Sequence, residues 1–263
     1  MKKTNYHSHT LLCDHAEGMP IDYVKRAVEL GYYHLGISCH GPLLPEWDDR
    51  RMNIDEFYNI YLPSINEAQE AYKNKIKVFK GLEIEYLGAY KTHYKKLLED
   101  LDYLILGQHV IKKDNKIISV YSGMTDENLV IYKDHIVEAL KTGYFKILAH
   151  PDLFMFRYQE WNKHVESVCK EIIEAAIKYD VVLEVNANGI RRKPIINQDG
   201  NEVYIYPRIE FWELVSTYKD AKVIIGEDNH YINYTGDKAV DKAFEFARKL
   251  GLNITQVLFE DIK

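Results

Sequence analysis

Eleven histidines are distributed along this 263-residue chain, and seven of them lie at or just past the ends of short apolar runs. His7 and His9 close the first run, with His15 in the segment beyond it, and His40 closes the second. His109, His150 and His230 close later ones. Carboxylates occur in the same register, with Glu83 and Glu85 ending the third run and Asp228 two residues before His230. Imidazole and carboxylate, with no thiolate required, make a donor set suited to zinc, manganese or ferrous iron. A lone histidine at such a place is more often a surface or hydrogen-bonded residue than a ligand, and an isolated H-x-H is a weak motif. The repetition at run after run is what points to a metal cluster.

The elements that must carry these residues follow from periodicity. Candidate strands cover 4–10, 34–40, 77–86, 101–110, 146–151, 181–188 and 222–230, and helical patterns cover 20–30, 55–73, 92–100, 125–141, 160–179, 208–218 and 237–250. Thr125 before Asp126 and Glu127 reads as a helix start, while Gly31, Gly143 and Gly251 read as C-terminal caps. Strict strand–helix alternation implies parallel strands joined by crossovers. Seven units with no evident linker predict an α/β fold, one closed or nearly closed barrel occupying residues 1–263 as one domain, with a doubly wound open sheet as the runner-up.

A parallel barrel sends the carboxyl end of every strand to one mouth, where such folds carry their chemistry. Residues two apart on a strand share a side, so His7 with His9, and Asp228 with His230, can converge on one site. The remaining histidines read differently. His34 begins a strand, and His93, His135 and His164 lie in helical patterns, so each is expected to be structural or solvated. Cys39 is expected to turn away from His40 as a small buried hydrophobe, whereas Cys13, in the metal-side loop, stays a minor candidate ligand. The pattern alone does not choose between Glu83 and Glu85.

The bulk numbers exclude some classes of function. A net charge of −6 argues against a broad basic footprint for nucleic acid or an anionic membrane. No apolar run approaches the roughly 18 residues a membrane span needs, and the opening residues lack a signal-peptide core. Three cysteines without a paired framework fit a reducing, cytoplasmic setting. Oligomeric state is not legible.

Taken in order, the motifs H-S-H-T at 7–10, His15, S-C-H ending at His40, G-L-E at 81–83, G-Q-H at 107–109, A-H-P at 149–151 and E-D-N-H at 227–230 resemble the polymerase and histidinol phosphatase (PHP) family, in its stand-alone histidinol-phosphatase branch. The chain departs from the common pattern at Gln108 and Cys39. The resemblance implies a distorted (β/α)7 TIM-like barrel that binds three divalent ions. His7, His9, Glu83 and Asp228 would hold one; Glu83, His109 and His150 a second; His15, His40 and His230 the third. The G-L-E match favours Glu83 over Glu85.

The chemistry expected of such a site is in-line attack of a metal-bridging hydroxide on a phosphomonoester, with Asp228 relaying a proton to the leaving alkoxide. Arg157, Arg191 and Arg192, in loops after the fifth and sixth strands, are candidate phosphate ligands because guanidinium binds phosphate bidentately. The resemblance makes L-histidinol phosphate the expected substrate. Another small phosphomonoester is the first alternative, and a nuclease-type role is disfavoured by the acidic charge.

Overall fold

The β-branched runs do assemble into one curled parallel sheet. The computed structural model describes residues 2–43, 51–197 and 199–260. Its strands are β1 (Lys3–Asn5), β2 (Tyr32–Ile37), β3 (Lys77–Ile84), β4 (Tyr103–Leu106), β5 (Val110–Lys113), β6 (Lys116–Ser119), β7 (Phe145–Leu148), β8 (Val182–Asn186), β9 (Ile195–Ile196), β10 (Glu202–Val203), β11 (Lys222–Gly226) and β12 (Asn253–Ile254). Eight of them form the sheet in the order β1-β2-β3-β4-β7-β8-β11-β12, every neighbouring pair parallel. The seven expected strands are present in chain order, and the short eighth strand was not anticipated.

The sheet curls until its ends meet at the mouth. Ser8, beyond β1, makes a parallel bridge with Asn229, beyond β11, and His9 N donates to Asn229 O at 2.8 Å. At the opposite end the C-terminal segment fills the gap, where Leu258 N donates to Tyr6 Oη at 3.2 Å. The barrel interior is apolar, built from Tyr6, Phe79, Tyr103, Ile105, Ile147, Ala149, Val182 and Ile224, with Phe259 packed against it. Tyr103 fits only because two neighbouring strands carry glycine. A Cβ at Gly36 would come within 2.0 Å of its hydroxyl, and one at Gly81 within 2.3 Å of its ring. His34 lies in this floor, its Nδ1 2.8 Å from Tyr6 Oη.

Helices cover the outside of the sheet. Thr125 caps Asp126–Lys141 by accepting from Asn128 N, and Gly31, Gly143 and Gly251 take the left-handed conformation expected of caps, with φ of 73°, 74° and 64°. The pattern at 55–73 resolves into Ile54–Glu56, a π-helical turn Phe57–Tyr61 and the helix Leu62–Tyr72. Pro63 at the start of the last piece lacks an N–H and cannot continue the regular ladder. Residues 101–110 are not one strand. The chain turns at Gly107, and the next residues form the antiparallel hairpin β5–β6. Gln108 fixes that turn by accepting from Tyr86 N (3.0 Å) and donating to Val110 O (2.6 Å). Among the described residues no helix is long and apolar enough to cross a membrane.

Candidate metal centre

The expected ligands lie just past the hydrogen-bonded parts of their strands, where the chain curls over the mouth. Asn5 shapes the first turn, accepting from both His7 N and Glu227 N at 3.1 Å and so tying the ends of β1 and β11 together. His150 and Asp228 sit in the left-handed region, with φ of 30° and 48°. Such strain costs about 1–3 kcal/mol per residue and persists where the surroundings impose it.

Glu83 is the hub. Its Oε2 lies 3.4 Å from His7 Nε2, 3.5 Å from His9 Nε2 and 3.2 Å from His40 Nδ1. Its Oε1 lies 2.9 Å from His150 Nε2 and 3.4 Å from His109 Nε2. Asp228 Oδ1 faces His9 Nε2 at 3.2 Å and His230 Nδ1 at 3.3 Å. Asn186 and Asn188 donate to its other oxygen at 3.1 and 3.2 Å. Glu85 takes a different part. Its Oε1 accepts from His109 Nδ1 at 2.7 Å and from Arg51, so it orients a histidine from behind.

The donor atoms fall into overlapping triads within 4.8 Å of one another. One is His7, His9 and Glu83, another Glu83, His109 and His150, a third His9, His40 and His230. His15 joins Cys13 and His230 rather than His40. All nine sequence-derived metal candidates therefore converge on the mouth, with the third set grouped differently from the family expectation. Cys39 is buried in the apolar core as expected. Its sulfur lies within this same range of Cys13 and His9, and Thr10 N donates to it at 3.4 Å.

These residues fit divalent cations. His7 Nε2 and His9 Nε2 stand 3.1 Å apart, an arrangement of lone pairs that needs a proton or a cation between them. His7 Nδ1 donates to Glu184 at 2.7 Å, His109 Nδ1 to Glu85, and His15 Nδ1 to the Cys13 carbonyl, leaving each Nε2 as a free donor. Among the described residues, His9 Nδ1, His40 Nδ1, His150 Nδ1 and Asp228 Oδ1 are buried without a hydrogen-bond partner.

Electrostatics agree. Burial opposes charge on Glu83 and Asp228, yet the surrounding imidazoles outweigh it and hold both carboxyls well below their usual range. Burial also opposes protonation of His9, but Asp228 raises its pKa to about 9, whereas burial and His9 together lower that of His230 to about 3. In this cluster cations would replace protons held on imidazole.

The cluster floors a cavity of about 270 Å³ that Arg192, Asn188, Tyr121 and Tyr206 also line. It opens into a groove of about 970 Å³ walled by Leu87, Tyr90, Val110, Lys112 and Ile117. Arg192 Nε donates to Tyr206 Oη at 3.0 Å. The other two arginines do not line either space. Arg191 is spent on Asp237 (2.9 and 3.1 Å), Glu227 O (2.6 Å) and Tyr234 O (3.2 Å), and exposed Arg157 donates to Tyr121 O at 2.7 Å.

Sequence reasoning missed Glu184, which is fully buried, receives His7 Nδ1 and accepts His150 N at 3.2 Å. An acid inside the apolar run VVLEVNAN, two residues from Asn186 on the same side, was the available signal. It also missed Tyr206, which approaches the cluster from a loop far along the chain.

A family model described as PHP domain matches residues 5–188. A protein from Deinococcus radiodurans named probable histidinol-phosphatase is 30% identical over 158 residues, 56% of this chain and 59% of that protein. The match thus spans about three fifths of the relative's length. One from Schizosaccharomyces pombe with the same name is 22% identical over 253 residues, covering 85% of this chain and 79% of its own. The crystal structure of histidinol phosphate phosphatase from Lactococcus lactis, complexed with zinc, L-histidinol and phosphate, superposes with a TM-score of 0.71 at 18% identity, over 96% of this chain and 95% of that one. At that identity the superposition shows a shared fold.

Proposed function

The chain belongs to the PHP domain family, and from that premise we propose that it is a metal-dependent phosphomonoesterase whose substrate is L-histidinol phosphate. The observation that carries the reading is the Glu83-centred cluster of imidazoles and carboxylates at the floor of a cavity that also receives a guanidinium. The names of the Deinococcus and Schizosaccharomyces relatives support the substrate. Strands from Lys3 to Ile254 share one sheet, which supports reading the chain as one catalytic unit.

His7, His9, Glu83 and Asp228 would hold one ion, Glu83, His109 and His150 a second, and His40, His230 and His15 a third, of zinc, manganese or ferrous iron. Such ions supply a water of lowered pKa and neutralise phosphate charge. Arg192, which lines the cavity above the cluster residues' floor, holds the phosphoryl group, its guanidinium bonded to Tyr206. Asp228, whose Oδ2 is fixed by two asparagines and whose Oδ1 faces His9 and His230, takes the proton given up by the attacking water and returns it to the leaving oxygen. Glu184 and Glu85 keep His7 and His109 turned inward. The leaving alcohol extends into the groove between Tyr90 and the β5–β6 hairpin. Arg191 and Arg157, committed elsewhere, take no part.

The groove is wider than a single amino alcohol requires, which keeps another small phosphomonoester as the second reading. A turnover screen over metabolite phosphomonoesters separates the two. L-Histidinol phosphate should give the highest kcat/KM, and a different phosphomonoester leading by an order of magnitude would replace it.

A further inference from the structure

We propose that Cys13 is a metal ligand that gives the His15–His230 corner of the cluster a thiolate face and makes that corner selective for thiophilic ions such as zinc and cadmium over manganese and magnesium. The inference rests on the reading of the cluster as a metal centre, and it adds a donor that the family resemblance does not supply.

Cys13 ends the short 3-10 turn Leu11–Cys13, and Asp14, in the left-handed conformation at φ 58°, reverses the chain between it and His15. The turn brings the Cys13 sulfur and donor nitrogens of His15 and His230 within 4.8 Å of one another. Metal–ligand bonds of about 2.0–2.3 Å place tetrahedral donors roughly 3.4–3.8 Å apart, so a contraction of about 1 Å closes the set. His15 Nδ1 already donates to the Cys13 carbonyl, which leaves Nε2 for an ion.

An independent feature marks the same sulfur. It is also within 4.8 Å of Cys39 Sγ and of a His9 nitrogen, and among the described residues the buried His9 Nδ1 has no nitrogen or oxygen partner. Both thiols are inaccessible to solvent, and both donate to one acceptor, Thr10 O, at 3.3 Å from Cys13 and 3.5 Å from Cys39. On ligation the Cys13 S–H bond breaks, a sulfur–metal bond forms, and the proton leaves to water. Thr10 O keeps Cys39 as its donor, so no buried carbonyl is orphaned. A soft thiolate among imidazoles shifts preference away from oxygen-seeking ions.

The test uses the full chain, reduced, stripped of metal and titrated with cobalt(II). The near-ultraviolet sulfur-to-cobalt charge-transfer absorption and bound cobalt are measured together. Wild type should show the absorption, Cys13→Ser should lose it, and Cys39→Ser and Cys169→Ser should keep it. Competition between zinc and manganese should show the zinc preference reduced in Cys13→Ser. Cobalt bound without the absorption, or an absorption that survives Cys13→Ser, overturns the inference while leaving the metal centre standing. No cobalt bound at all overturns both.

Discussion

Substitution can separate the roles proposed for Asp228 and Arg192. Asp228→Asn keeps the size of the side chain and loses the ability to shuttle a proton, so kcat should fall by roughly 100-fold or more. Metal content, measured on the same sample, should fall far less. Arg192→Ala removes a charge-assisted contact of about 1.5–3 kcal/mol, which should raise KM for the phosphoester by roughly tenfold or more. An unchanged KM would remove Arg192 from the phosphate site. The residues that gather at the mouth were legible because histidine and acid recurred at the ends of strands. The arginines were only partly so, because adjacent residues such as Arg191 and Arg192 look alike in sequence. What separates them is the helix Ala187–Arg191, capped by Asn186, which turns one guanidinium to Asp237 and the other to Tyr206.

Strands and turns set the precision of the site, and glycine is where they do it. A Cβ at Gly226 would lie 1.7 Å from Glu184 Oε1, and one at Gly107 would lie 2.1 Å from Glu83 Oε1. Both glycines therefore leave the space into which a buried carboxylate from the neighbouring strand projects. Gly226→Ala should displace Glu184, release His7 from its orientation and weaken metal binding by roughly 10–100-fold. Far-ultraviolet circular dichroism should stay near that of wild type, since the glycine is one position in an otherwise intact strand. Wild-type metal affinity in this variant would show that Glu184 does not orient the site. Periodicity revealed the strands but not where they stop. The run 101–110 looked continuous because Val110 is apolar, yet Gly107 and the side chain of Gln108 break it and start a hairpin. Nor does a two-residue strand such as β12 carry enough pattern to be read.

At the scale of the whole molecule, the cluster depends on the sheet curling far enough for β1 and β11 to meet. Cluster residues from His7 to His230, more than two hundred positions apart, share one floor because Ser8 bridges Asn229 at the mouth. The barrel has its own apolar interior and an outer layer of helices, so it should hold its shape without metal. The central claim is that cations held by this cluster do the hydrolysis. The most direct measurement follows L-histidinol phosphate turnover, bound metal and helical content on one preparation through chelation and reloading. Chelated protein should keep most of its helical signal and lose turnover, and reloading to about three ions per chain should restore it. Full turnover in protein verified to be metal-free would contradict the account.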